Sequence, residues 1–245
     1  MKGANSEAAL FVNSDMGESF GLHSFGNDEV LMPLIDVANV ACGFHSGDPS
    51  AMDATVNLAK QHNVLVGAHP GLPDLVGFGR REMKLTPDEV ESIIRYQVGA
   101  LVSFLEKYSL PLNHIKPHGS LYGMLARDED LMLGAVKVAK TYDVPLFGIA
   151  GSAHQRVAER EGVRFMGELY VDLNYNADGG LIILRRPEHT DPERAAERVR
   201  RVLKDGIVLA DDGTELTIPF SSVCVHSDTP NAPEVARAVR QALEA

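Results

Sequence analysis

The feature that most constrains this chain is an alternation. Short apolar runs recur along it, each closing on a polar or glycine-bearing cluster, and helical patterns fill most of the gaps between them. A strand that returns parallel to its predecessor needs a crossover of a dozen or more residues, usually a helix. The alternation therefore predicts an α/β fold on a parallel sheet. The runs cover residues 9–12, 37–41, 64–67, 113–115, 145–149, 163–166 and 222–225. They are read as about seven strands of a closed or nearly closed parallel (β/α) barrel, with an open doubly wound sheet as the alternative, because periodicity does not show closure. Residues 181–184 read as an extra strand, bounded by Asp178-Gly179-Gly180 and Arg185-Arg186-Pro187.

Several helix starts are written in the chain. Asp48-Pro49 places an N-cap before a proline at the first helical position, and Thr86-Pro87-Asp88-Glu89 adds a capping box. Asp191-Pro192 and Thr229-Pro230 repeat the proline signal. After Thr86, the spacing of Ile94, Val98, Leu101 and Leu105 marks one buried helix face. No low-complexity stretch interrupts the pattern, so residues 1–245 are expected to form a single domain, a size that buries a substantial core.

Charge and cysteine usage narrow the function. With 34 acidic and 23 basic residues the formal charge is -11, which repels a polyanion, and nucleic acid is excluded as an expected partner. The apolar stretch over residues 8–12 is too short for a signal-peptide core or a membrane span, so a cytoplasmic location is expected. Cys42 and Cys224 have no zinc-site spacing and are expected to be small buried hydrophobes.

In parallel α/β folds the ligand site lies beyond the carboxyl ends of the strands. The first run is followed by Asn13-Ser14-Asp15-Met16-Gly17-Glu18 and the second by Cys42-Gly43-Phe44-His45-Ser46-Gly47-Asp48. His69 follows the third run, Lys116 and His118 the fourth, Glu168 and Asp172 the sixth, and His226 and Asp228 the last. Histidine thus follows four of the seven runs. Carboxylate and imidazole transfer protons near neutral pH and also bind divalent metals, so a shared functional site is expected on this rim. There is no G-x-x-x-x-G-K-[ST] loop, no G-x-G-x-x-G after the first run and no G-x-S-x-G elbow.

These strand-end segments resemble the LamB/YcsF family over nearly the whole chain. The resemblance is carried by NSDMGESFG at Asn13, DVANVACGFHSGDP at Asp36, VGAHPGLPDLVGFGRREM at Val66, HIKPHGSLY at His114, the turn from Gly148 to Ser152 and VCVHSDTPNA at Val223. It implies a barrel related to the glycoside hydrolase and deacetylase superfold. It also implies an ATP-consuming 5-oxoprolinase activity shared with two partner subunits of B and C type, which themselves resemble the parts of an allophanate-hydrolase-type enzyme. The chain departs from the family in three places. Leu173 stands where an arginine is usual, Glu188-His189-Thr190 follows Pro187 in place of a Gly-Ala pair, and Ser227 replaces a glycine. Leucine cannot make the bidentate anion contact of a guanidinium.

On this reading the expected catalytic residues are Asp15, His45, His69, Lys116 and His118. Asp15, alone or with His45 and His69, holds or deprotonates water, while Lys116 and His118 face developing negative charge. Asn13, Glu18, Asp48, Glu168, Asp172, His226 and Asp228 are expected to bind substrate. If a divalent metal is present, Asp15, His45 and His69 are its expected ligands. Two other readings are a stand-alone metal-dependent deacetylase or amidohydrolase and a non-catalytic subunit that binds lactam or carbohydrate-derived ligands.

Overall fold

The computed structural model describes residues 10–182 and 188–244. In chain order the elements are β1 (Phe11–Met16), α1 (Asp28–Leu31), β2 (Val37–Ala41), α2 (Pro49–His62), β3 (Leu65–His69), α3 (Pro87–Lys107), α4 (Gly119–Arg127), α5 (Glu129–Tyr142) and β4 (Leu146–Gly148). They continue with α6 (Ala153–Arg160), β5 (Phe165–Tyr170), β6 (Asn174–Tyr175), β7 (Leu181–Ile182), α7 (Pro192–Asp205), β8 (Ile207–Leu209), β9 (Glu215–Thr217), β10 (Ser222–Cys224) and α8 (Ala232–Glu244). A short 3₁₀ turn, Met32–Leu34, leads into β2.

Capping chemistry explains where the helices begin. Asp48 accepts hydrogen bonds from the backbone N–H groups of Ser50 and Ala51 at the start of α2. Thr86 and Glu89 satisfy each other's backbone donors at the start of α3, as the capping box predicts. The expected face of α3 is buried at Ile94, Val98, Leu101 and Leu105, with Val90 joining it one turn earlier. Asp191 caps α7, while α8 starts at Ala232, two residues beyond the Thr229-Pro230 signal.

Six strands form one sheet in the order β3-β2-β1-β10-β5-β4, and every adjacent pair is parallel. The α/β class and the parallel sheet agree with expectation; the count of about seven strands does not, because the fourth apolar run forms no strand. Residues 113–115 contribute one bridging residue, Ile115, which pairs in parallel with Ala68 of β3 and with Leu146 of β4, the two edges of the sheet. Backbone N–H groups of Asn113 and Lys116 donate to Val66 and Ala68, and Ala68 donates to His114. On the other side Ile115 donates to Pro145 and Phe147 to Ile115. Proline at 117, which has no N–H, and at 111 limits how far this ladder can extend. The sheet is therefore curled, with its edges joined through a single residue.

The sheet curls around polar side chains, and two strands extend further than their apolar residues indicate. β1 runs on to Met16, so Asn13, Ser14 and Asp15 lie within the strand and are buried. Glu168 likewise lies inside β5. The extra strand is present over Leu181–Ile182 and pairs antiparallel with β6, whereas Ile183, Leu184 and the Arg185-Arg186-Pro187 boundary lie outside the described residues. The antiparallel pair β8 and β9 has no counterpart among the expected strands. Among the described residues no helix is long and apolar enough to cross a membrane.

Candidate active site

The polar centre begins on two neighbouring strands. Asp15 of β1 and Asn39 of β2 are register partners, and the Asn39 amide Nδ2 donates to Asp15 Oδ1 and to Asn13 Oδ1, each at 2.8 Å. His114 Nε2 lies 2.7 Å from Asn39 Oδ1, which fixes the amide orientation from behind. This ring fits because residue 67 of β3 is glycine: a Cβ there would fall 2.0 Å from His114 Cε1.

Lys116 follows the bridging residue and is buried at the middle of the site. Its Nζ lies 3.0 Å from Asp15 Oδ1, 3.1 Å from Glu168 Oε1, 3.2 Å from Asn13 Oδ1 and 3.2 Å from Cys224 Sγ. Three N–H donors thus meet four acceptors. Burial opposes the Lys116 charge, but Asp15 leads the groups that restore it, and the ammonium is held well above its usual range. Burial also opposes the Asp15 carboxylate; His69 and Lys116 outweigh it and hold Asp15 well below the usual carboxylate range. Tyr170 donates to Glu168 Oε2 at 2.7 Å and also lies 2.7 Å from the Tyr122 hydroxyl.

Three imidazoles pack beside this pair. His69 Nδ1 lies 2.8 Å from the Lys116 carbonyl, and its Nε2 lies 3.3 Å from Asp15 Oδ2 and 3.0 Å from His118 Nδ1. His118 Nε2 lies 2.8 Å from the Phe78 carbonyl. His45 stacks face to face on His118, with centroids 3.7 Å apart and planes within 5°, and its Nε2 lies 3.3 Å from Glu18 Oε1. Burial, followed by the neighbouring rings, pushes His45 and His118 well below the ordinary histidine range. Burial, reinforced by Asp15 and Asp228, pushes Glu18 well above the ordinary carboxylate range.

On the opposite wall Asp172 binds His226 twice, through the backbone N–H at 2.6 Å and Nδ1 at 2.9 Å. That leaves His226 Nε2 turned towards Asp15 Oδ2, 3.7 Å away. Burial works against the imidazolium, but Asp172 overrides it and raises His226 well above the usual histidine value. His226 keeps 16% of its side chain exposed and lines a pocket together with Asp15, His69, Lys116, His118, Asp172 and Asp228.

The five residues expected to be catalytic, Asp15, His45, His69, Lys116 and His118, thus lie in one connected network. Asn13, Glu18 and Glu168 brace it from within, Asp172 orients His226, and Asp228 pairs with Arg80 at 2.8 Å on the pocket wall. Asp48 stands apart: it caps α2, accepts from Gly21 N–H through its other oxygen and does not line the pocket. Sequence reasoning misses Asn39, Arg80, Tyr122, Tyr170, Arg194 and Arg198. The signal for Asn39 is a polar residue inside an otherwise apolar run. Arg194 and Arg198, one helical turn apart on α7, line the pocket beside Leu173, and Arg198 donates to the Leu173 carbonyl. Among the described residues two groups have the composition and closeness to hold a metal ion, Glu18 with His45, His69 and His118, and Asp15 with Cys224 and His226.

A curled parallel sheet with buried carboxylate, imidazole and ammonium groups converging on one pocket defines an α/β protein of enzyme type, equipped for proton transfer. The LamB/YcsF profile matches residues 10–245, and the chain belongs to the LamB/YcsF family. It is 46% identical over 237 residues to the A-type 5-oxoprolinase subunit of Thermus thermophilus, with 95% of each chain covered. It is 45% identical over 237 residues to the lactam utilization protein lamB of Emericella nidulans, covering 95% of this chain and 93% of that one. The crystal structure of the lactam utilization protein from Thermus thermophilus superposes with a TM-score of 0.88 at 44% identity, covering 96% of each chain.

Proposed function

We propose that this chain is the A-type component of an ATP-dependent 5-oxoprolinase, which opens the lactam of 5-oxo-L-proline to L-glutamate together with B-type and C-type partner subunits in the cytoplasm. The observation that carries the reading is the Asp15 centre: an ionised carboxylate at the pocket floor, fixed by Lys116 and Asn39 on one oxygen and leaving the other towards His69 and His226. The relatives named as A-type components of 5-oxoprolinase support the substrate.

A lactam is a stabilised amide with a poor leaving group, and ATP supplies the activation. In this mechanism the amide oxygen is phosphorylated within the complex. Asp15 Oδ2 takes a proton from water as it adds to the activated ring carbon. The C–N bond then breaks as the added hydroxyl releases its proton to solvent and becomes the carbonyl, while His226, held as the imidazolium by Asp172, gives its Nε2 proton to the departing nitrogen. A second water hydrolyses the resulting acyl phosphate to glutamate and phosphate. Lys116, saturated by its four neighbours, acts chiefly by keeping Asp15 ionised and placed. Arg194 of α7, which donates to Asn174 at 3.4 Å, is positioned to take the substrate carboxylate where Leu173 cannot.

The test is glutamate release from 5-oxoproline by the purified chain, with and without the partner subunits and with ATP present or withheld. Release only from the full set with ATP is expected. Release by the chain alone without ATP would overturn the proposal.

A further inference from the structure

The two histidines His69 and His118 pose a chemical problem that the lactam mechanism leaves unused. A backbone carbonyl only accepts hydrogen bonds. The Lys116 carbonyl at 2.8 Å therefore requires the proton of His69 on Nδ1, and the Phe78 carbonyl at 2.8 Å requires that of His118 on Nε2. With those two nitrogens engaged, the other ring nitrogens, His69 Nε2 and His118 Nδ1, face one another across 3.0 Å. Carboxylate oxygens close in from both sides, Asp15 Oδ2 at 3.3 Å from His69 Nε2 and Glu18 Oε1 at 3.8 Å from His118 Nδ1. Two ring nitrogens and two carboxylate oxygens thus converge on one point.

A cation resolves this convergence. We infer that Glu18, His69 and His118 bind a divalent transition-metal ion of the zinc class, with Asp15 Oδ2 beside His69 placed to accept from a water on the ion. One ligand atom from each of Glu18, His69 and His118 lies within 4.8 Å of the others. Ligand atoms about 2.0–2.2 Å from a tetrahedral ion stand roughly 3.3 Å apart; the His69–His118 pair at 3.0 Å and the Glu18–His118 pair at 3.8 Å lie on either side of that value, and each needs an adjustment of a few tenths. The carbonyl behind each imidazole is the arrangement that fixes tautomer and orientation in metal-bound histidine.

The same geometry removes His45 from the ligand set. Its ring lies parallel to His118 and 3.7 Å from it, so both rings cannot aim in-plane lone pairs at one ion. His45 Nε2 instead meets Glu18 Oε1 at 3.3 Å and orients that side chain. The expected trio of Asp15, His45 and His69 is thereby replaced by one in which His118 binds and His45 positions. Metal binding is measured without substrate or partners, so its failure and the failure of the lactam reading are separate outcomes.

The test uses the intact chain, stripped with a chelator and verified metal-free by elemental analysis. Zinc titrated by competition with a chromophoric chelator is expected to bind one ion per chain. His69→Gln and His118→Gln each weaken binding by well over about 100-fold, whereas His45→Gln weakens it by about 10–100-fold, the range for an orienting residue. His226→Gln, in the other cluster, leaves binding unchanged. Circular dichroism confirms that each variant is folded. Cobalt(II) gives a second readout: its visible spectrum changes in His118→Gln and persists in His45→Gln. Absence of stoichiometric zinc, loss of binding in His226→Gln, or equal losses in His45→Gln and His118→Gln would each overturn the inference, the first of them leaving a shared proton between the two rings.

Discussion

Replacing Lys116 with methionine keeps the length and apolar stem of the side chain while removing its charge. Its ammonium lies 3.0 Å from Asp15 and 3.1 Å from Glu168. At an effective dielectric of about 20, unit charges at that separation attract by about 5 kcal/mol each, before the cost of dehydrating them. Deleting one partner of a buried pair costs about 3–5 kcal/mol, because the remaining charge stays buried and unpaired. Here two carboxylates lose the same partner, so Lys116→Met is expected at the upper end, about 4–5 kcal/mol. For a chain of this size that corresponds to a fall in Tm of about 8–20 °C. Urea denaturation at pH 7 followed by circular dichroism measures the loss. Adding Glu168→Gln removes one orphaned charge and is expected to restore at least about 1 kcal/mol. In the reconstituted complex kcat falls at least about 100-fold in both variants, since Asp15 loses its anchor in each. A single variant destabilised by less than about 1 kcal/mol, or a double variant less stable than the single, would refute this account.

Acid sensitivity follows from His154, where burial pushes the pKa down to about 4. Its Nδ1 accepts from Ile149 N–H at 3.2 Å and its Nε2 lies 3.0 Å from the Tyr122 carbonyl, so a second ring proton has no acceptor. The unfolded chain takes up that proton from about pH 6.5 downward and the folded chain does not, so stability present above pH 6.5 is lost as pH falls towards 4, by about 3 kcal/mol in all; a urea midpoint unchanged between about pH 7 and 4.5 would contradict it. Gly67→Ala drives a methyl into His114 and is expected to cost about 1–3 kcal/mol, read as a lower urea midpoint at constant m-value. Arg194→Ala is expected to raise KM for 5-oxoproline about tenfold or more with a smaller change in kcat, and an unchanged KM would remove Arg194 from carboxylate recognition. The pure chain is expected to hydrolyse no ATP; a robust ATPase rate from it alone would place nucleotide chemistry on this component.

The histidines are legible because each stands next to a glycine or proline, or close to one, just past an apolar run, and such positions fall at the rim of a parallel sheet. Asp15 is legible too, but as a residue after its strand, because a strand lining a polar interior loses the apolar signature by which strands are recognised. Asn39 is hidden by the same effect, a single amide inside Val37–Ala41. Asp48 illustrates the converse: an acid after a strand and before a helix is equally a catalytic rim residue and an N-cap, and its hydrogen bonds assign it to the cap. The β8–β9 hairpin leaves only a turn signal, Asp211-Asp212-Gly213, between strands of three residues each. Arg80 lies in a long connection without periodicity, and it meets Asp228, 148 positions away, only in three dimensions.

The union of the sheet's two edges at Ile115 has a mechanical consequence. Lys116 is the next residue and His118 lies two beyond it, so the joint and the reactive groups are successive links of one short length of chain. The segment that bridges β3 and β4 is thus the one that sets the ammonium against Asp15 and the His118 imidazole against His69. The bridging of the sheet's edges and the readiness of the chemistry are in that sense one latch, and amide exchange at Ile115 and Lys116 reads its state directly.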